Sequence, residues 1–249
     1  MEIYLTKMTL NTESRAVWND LGNLQQLHKT ISKAFPVIEN REHLAHHERE
    51  TPRNKFNLLH RLDFDRRSGK AVLLVQSAIS PNWDFLADNY ADEIKCKEVS
   101  EQYAAIFNGQ RLLFRLHANP TKRIGKSDGR AADKFKQYEK GANRRRVELR
   151  TDDEKIEWLK RKGLDAGFRL ANVRIKETVA NVATVAGGKI KSRRNDSDKP
   201  MTFGAVTFEG ILEVTNAEKI RESLKQGIGT GKAYGFGLLS VVKAAEIES

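Results

Sequence analysis

His28 is the residue of this 249-residue chain whose type and setting best suit proton transfer. It stands one position past Leu27, at the edge of an apolar stripe of Leu24, Leu27, Ile31 and Phe35 that recurs at helical spacing, and Lys29 and Lys33 flank it. An imidazole among lysines at the rim of a core can titrate near neutrality and meet an anionic substrate, although a solvated histidine on a helix surface would look the same in sequence. His43, His46 and His47 are also spaced as on a helix. They lack the pattern of a glutamate between two histidines four apart, so the expectation is a solvated polar stretch that holds no metal. His60 and His117 fall in strand-like runs and are expected to be structural.

The second stretch with chemical potential runs from Gly227 to Ser240 and carries a glycine at nearly every second position between Gly227 and Gly237. A dinucleotide fingerprint would need a strand before these glycines and a helix after them, and here the order is reversed. A P-loop fails as well: Gln226 stands where its first glycine belongs, and Ala233 follows Gly231-Lys232 in place of Ser or Thr. Lys232-Ala233-Tyr234-Gly235-Phe236 comes close to an RNA-recognition strand, but too little chain follows to complete that fold. What remains is a loop entering a last strand, able to bring backbone amides and Lys232 against RNA or against the helix that carries His28.

Those two stretches sit in a strongly basic chain. Lysine and arginine number 44 against 33 acids, a net charge of +11, which points to a polyanion and above all to nucleic acid. The charge is clustered. Between Asn119 and Arg150 eleven basic residues, among them Lys122, Arg123, Arg144, Arg145 and Arg146, face four acids, so seven of the net charges lie in this excursion. A second cluster, Lys189, Lys191, Arg193, Arg194 and Lys199, is placed at the tip of an expected hairpin. Two cationic arms suit the two phosphate walls of a duplex groove, where each contact releases a counterion. The single Cys96 cannot form an internal disulfide; no secretory signal pattern opens the chain and no apolar run is long enough to span a membrane. A soluble cytoplasmic protein that uses no cofactor is the expectation.

The elements that must position these groups read as βαββαβ, twice. Residues 1–10 form a first strand, Asn23 caps the His28 helix, Phe56 to Phe64 alternate as a half-buried strand, and Ala71–Val75 pair with it. Pro81 opens a short helix over Trp83–Tyr90, and Ile94–Val99 close the sheet. In the second pass Arg111–Leu116 begin a sheet, and Thr151 with Glu154 make a capping box for a helix ending near Gly163. Phe168–Val185 and Met201–Val214 form a long hairpin, Asn216 caps a helix closed by Gly227, and the last strand follows. With 39% hydrophobic residues the chain can fill such cores. The expectation is an α+β protein of tandem ferredoxin-like domains, residues 1–100 and 110–249.

Four blocks in this order resemble the CasE family of CRISPR repeat endoribonucleases of the type I-E Cascade complex: Leu27–Phe35, Arg115–Lys122, Val206–Gly210 and Gly227–Ser240. The resemblance implies tandem ferredoxin-like domains, cleavage of precursor CRISPR RNA at the base of the repeat hairpin, and retention of the product with the other Cascade subunits. It places the family's helix histidine on His28, as general acid or base in a metal-independent attack of a ribose 2′-hydroxyl on the adjacent phosphate. It also places basic positions on Lys29, Lys33 and, near the return strand, Lys199. Some members carry a tyrosine one helical turn before the histidine. Gln25 stands there and cannot exchange a proton, so either His28 works with lysines or RNA binding alone aligns the 2′-hydroxyl. A non-catalytic RNA-binding subunit of a CRISPR ribonucleoprotein is the alternative reading.

Overall fold

Two four-stranded antiparallel sheets carry the chain, and their strands follow the same order. In the first half β1 (Tyr4–Leu10), β2 (Leu59–Phe64), β3 (Ala71–Ser77) and β4 (Ala91–Glu98) lie as β2-β3-β1-β4. In the second, β5 (Arg111–Ala118), β8 (Phe168–Glu177), β11 (Val206–Val214) and β12 (Leu239–Lys243) lie as β12-β5-β11-β8. Each sheet thus has its first and third strands at the centre and its second and fourth at the edges. Two ribbons are added to the second half, β6 (Thr121–Arg123) with β7 (Arg146–Glu148), and β9 (Lys189–Ser192) with β10 (Met201–Gly204). The computed structural model describes residues 2–37, 52–65, 67–123, 146–177, 189–192 and 201–244. His43, His46, His47, Arg144, Arg145, Arg193, Arg194 and Lys199 lie outside them.

Six helices cover the sheets among the described residues: α1 (Arg15–Gly22), α2 (Leu24–Ser32), α3 (Pro52–Lys55), α4 (Ser100–Ala104), α5 (Asp152–Ala166) and α6 (Ala217–Gln226). α2 starts where the sequence places it, because the Asn23 side chain accepts the backbone N–H of Gln25 at 3.0 Å and its Leu24, Leu27 and Ile31 turn inward. With α1 it closes a core of Met8, Leu10, Leu73 and Val75. α5 and α6 close a second core of Leu116, Phe168, Phe208 and Leu212. The Thr151–Glu154 capping box is formed, and Asn216 caps α6 by accepting from Lys219.

Three expectations are corrected. Trp83–Tyr90 is a run of turns rather than a helix. Asn82 Oδ1 accepts the N–H of Asp84 at 2.7 Å, but the Leu86 and Tyr90 N–H groups reach back only three residues, to Trp83 and Ala87, so the segment closes as separate turns. The helix expected to stop at Gly163 continues to Ala166 and ends at Gly167, whose φ of 82° is left-handed. Gly163 is instead a place of close approach: a Cβ there would lie 2.8 Å from the Phe168 ring. Finally, β2 does not alternate strictly, because Leu59, His60 and Arg61 are all buried. His60 points with Leu62 toward the α2 side, while Leu59 and Arg61 meet the second half of the chain, so both faces of this edge strand are covered.

The seam between the halves is polar where side chains can satisfy each other. Arg61, 3% exposed, pairs with Asp63 at 3.0 Å and donates to Ser240 Oγ at 2.8 Å. Gln76 donates to the Leu224 carbonyl and accepts from the Tyr103 hydroxyl, each at 2.8 Å. Such partners remove the penalty of burying polar groups.

Helix propensity alone would make Gly163→Ala stabilising by about 1 kcal/mol. The Phe168 contact reverses that sign: urea denaturation should show Gly163→Ala destabilised by about 1–3 kcal/mol, and a gain in stability would refute the packing argument.

Candidate active site

The glycine-rich stretch is a closed loop joining α6 to β12. The Ile228 N–H donates to the Gly237 carbonyl at 2.9 Å, and the Gly237 N–H donates to the His117 carbonyl on β5 at 2.8 Å. Between these ties Lys232–Tyr234 make a single 3-10 turn bracketed by Gly231 and Gly235, both left-handed. Gly231, with φ 81°, also lies so close to Phe236 that a Cβ would come within 2.8 Å of its ring. Phe236 is fully buried, stacked on His117 at 4.9 Å and tilted against Phe203 at 5.5 Å. The same small cluster includes Leu24 of α2, Ala205 and the partly buried Tyr234. The loop therefore serves as a seat for the N-terminal turn of α2, the packing role that the P-loop and dinucleotide comparisons had left open.

His28 sits in the middle of α2, half-buried, its carbonyl accepting from the Ser32 hydroxyl at 2.8 Å. Lys29 and Lys33 are exposed on the same helix and its C-cap. Beneath His28 lies His60 of β2, 1% exposed, with ring centroids 6.1 Å apart and planes inclined by 20°. Among the described residues neither ring nitrogen of His60 has a hydrogen-bond partner, and burial, followed by the charge of His28, pushes its pKa down to about 3. An unmet buried polar atom costs about 1–3 kcal/mol. His117 is buried as well, within 3.0 Å of Thr207 Oγ1, and burial with the nearby Arg61 charge lowers its pKa to about 4. His60 and His117 are thus both interior, as read from sequence, but the contact of His60 with His28 was not legible there.

The basic residues divide. Lys122, Arg123 and Arg146 come together on the β6–β7 ribbon, where they border a cleft of about 720 Å³ whose far wall is Arg161 and Lys162 of α5 and Thr230 of the glycine loop. Arg161 and Lys162 escape the sequence reading because they belong to an ordinary charged helix, outside either basic cluster. Lys189 and Lys191 lie on β9, whose ribbon touches α2. Lys232 donates to the Gln226 carbonyl at 2.6 Å and so closes the end of α6. Gln25 is part-buried in the first turn of α2. Among the described residues no three His, Cys, Asp or Glu side chains gather as a metal site, and no helix is long and apolar enough to cross a membrane.

Two outcomes test this geometry. His60 and His117 stay neutral in the folded chain, whereas in the unfolded chain they take up protons near pH 6.5, so acid favours unfolding. Their contribution is complete above pH 6.5 and declines as pH falls toward 4; denaturation between pH 7.5 and 5.5 should show the unfolded state binding up to about two extra protons, and a flat profile would contradict it. Gly231→Val strains the backbone and collides with Phe236, while Gly69, also left-handed, has open space around it. Gly231→Val should therefore lower the melting temperature by roughly 5–10 °C and Gly69→Val by less than half as much; equal losses would show that Phe236 packing is irrelevant.

A family described as CRISPR associated protein matches residues 3–243. The CRISPR-associated endoribonuclease Cse3 of Thermus thermophilus is 34% identical over 246 residues, covering 96% of this chain and 99% of that protein. The Cascade subunit CasE of Escherichia coli is 32% identical over 244 residues, covering 96% and 98%. The solved structure of Thermus thermophilus Cse3 bound to an RNA representing a pre-cleavage complex superposes with a TM-score of 0.70 at 34% identity, over 97% of this chain and all of that one. The match runs through both sheets, the helix bearing His28 and the glycine-rich loop, and the chain belongs to the CasE/Cse3 family of CRISPR-associated proteins.

Proposed function

We propose that this chain is an endoribonuclease that cuts precursor CRISPR RNA at the repeat hairpin by metal-independent 2′-hydroxyl transesterification, and keeps the product among Cascade subunits in the cytoplasm. The observation that carries the reading is His28 itself: a half-buried imidazole on a helix seated against the glycine loop, with Lys29 and Lys33 exposed beside it. Its relatives' names and the RNA in the solved Cse3 complex support the substrate class. In this reading the two sheets are tandem ferredoxin-like domains, residues 1–100 and 110–249, supported by the shared strand order and by the short α4 between them.

The chemistry follows from what each group can do. A ribose 2′-oxygen attacks the adjacent phosphorus, the bond to the 5′-oxygen breaks, and the products are a 2′,3′-cyclic phosphate and a 5′-hydroxyl. His28 either takes the 2′-hydroxyl proton or supplies one to the leaving oxygen, a role worth roughly 10²- to 10⁴-fold in rate. Lys29 and Lys33 oppose the negative charge that develops on the phosphorane. Holding the hairpin would fall to the cleft of Lys122, Arg123, Arg146, Arg161 and Lys162 and to the β9–β10 ribbon with Lys189 and Lys191, reading an A-form stem through shape and phosphates. Arg144, Arg145, Arg193, Arg194 and Lys199 are assigned to the same basic arms, and Lys232 to the loop that supports α2.

Single-turnover cleavage of the host's repeat RNA tests the assignment. His28→Ala should slow cleavage by about 10²-fold or more while hairpin affinity stays within a few-fold, and a 2′-deoxy nucleotide at the cut site should abolish it. Native-rate cleavage by His28→Ala would remove His28 from the reaction. A wild-type chain that binds the hairpin and leaves it intact would establish the non-catalytic subunit instead.

A further inference from the structure

The face of β2 that looks toward α2 is apolar at Leu62 and Phe64 and imidazole at His60. Nothing in the hydrogen bonding of the core asks for a histidine there, since both ring nitrogens are without partners among the described residues and the residue is 1% exposed. Its neighbours are informative. Gly235 of the glycine loop packs against one edge of the ring, where a Cβ would meet Cδ2 and Nε2 at ordinary van der Waals distance, 3.5 Å, and the His28 ring lies nearly parallel to it, 6.1 Å away. α2, β2 and the glycine loop converge on this one side chain.

We propose that His60 is a positioning residue for His28: a flat, water-excluded ring that fixes the plane of the catalytic imidazole. This rests on the role of His28 given above. The two rings lie nearly parallel with centroids 6.1 Å apart, and a fixed ring beside His28 limits the rotations by which it could leave an in-line geometry. Burial keeps His60 from competing for the proton, consistent with its depressed pKa. The residue thereby retains two unmet polar atoms that an apolar side chain would not have, a local loss of stability at a functional place.

His60→Leu and His60→Phe, measured beside His28→Ala, test the proposal. His60→Leu removes the unmet nitrogens and the flat ring together; it should melt a few degrees higher than wild type, bind repeat hairpin with unchanged affinity, and cleave about 10-fold more slowly in single turnover. His60→Phe, which restores a flat ring, should recover most of that rate. A merely structural role predicts that rate and stability fall together. Native cleavage by His60→Leu, a rate loss matched by lost stability or affinity, or a His60→Phe as slow as the leucine variant would each overturn the proposal. If His28→Ala cleaves at the native rate the assignment of His28 fails instead, and with it the reason for a floor.

Discussion

The burial of Phe236 is the constraint on which the arrangement depends. Its ring is held between His117 of the second sheet and Phe203 of the β9–β10 ribbon, and it shares a cluster with Leu24 at the start of α2. To deliver that ring the chain must reverse direction twice within a few residues, hence the left-handed glycines on either side of the 3-10 turn. Once seated, the loop fixes where α2 lies on the first sheet, and the position of α2 sets the position of His28. A change in a residue far along the chain can therefore act on His28 without touching it.

Polar side chains help hold the seam around this seat. Arg61 and Gln76 reach across to carbonyls and a hydroxyl of the other half, and each finds partners there. These contacts contribute orientation more than net stability, because each hydrogen bond formed replaces one made to water. Both ring nitrogens of His60 are without hydrogen-bond partners among the described residues, and its ring stacks under that of His28. The satisfied groups set how the halves meet, and the unmet nitrogens of His60 lie beside His28.

Much of this was legible in the sequence where local rules act alone. Asn23, Thr151 and Asn216 announce their helices because a capping side chain bonds to backbone two or three residues on. His28 could be singled out because the stripe of Leu24, Leu27 and Ile31 shows which way the helix faces. Where two elements decide jointly, sequence was insufficient. Gly163 looked like a terminator but makes room for Phe168, and Trp83–Tyr90 closes as separate three-residue turns that helical spacing does not reveal. The alternation of β2 concealed that its second face is covered, and with it the contact between His60 and His28. Arg161 and Lys162 join the basic cleft only through the folding of α5 against the β6–β7 ribbon.

The central proposal is that cleavage runs through the RNA's own 2′-hydroxyl and needs no metal ion. Incubating the wild-type chain with its host repeat RNA in EDTA and mapping both new ends tests it most directly. The account predicts undiminished cleavage that leaves a 2′,3′-cyclic phosphate upstream and a 5′-hydroxyl downstream. Loss of cleavage in EDTA, or ends bearing a 3′-hydroxyl and a 5′-phosphate, would contradict it.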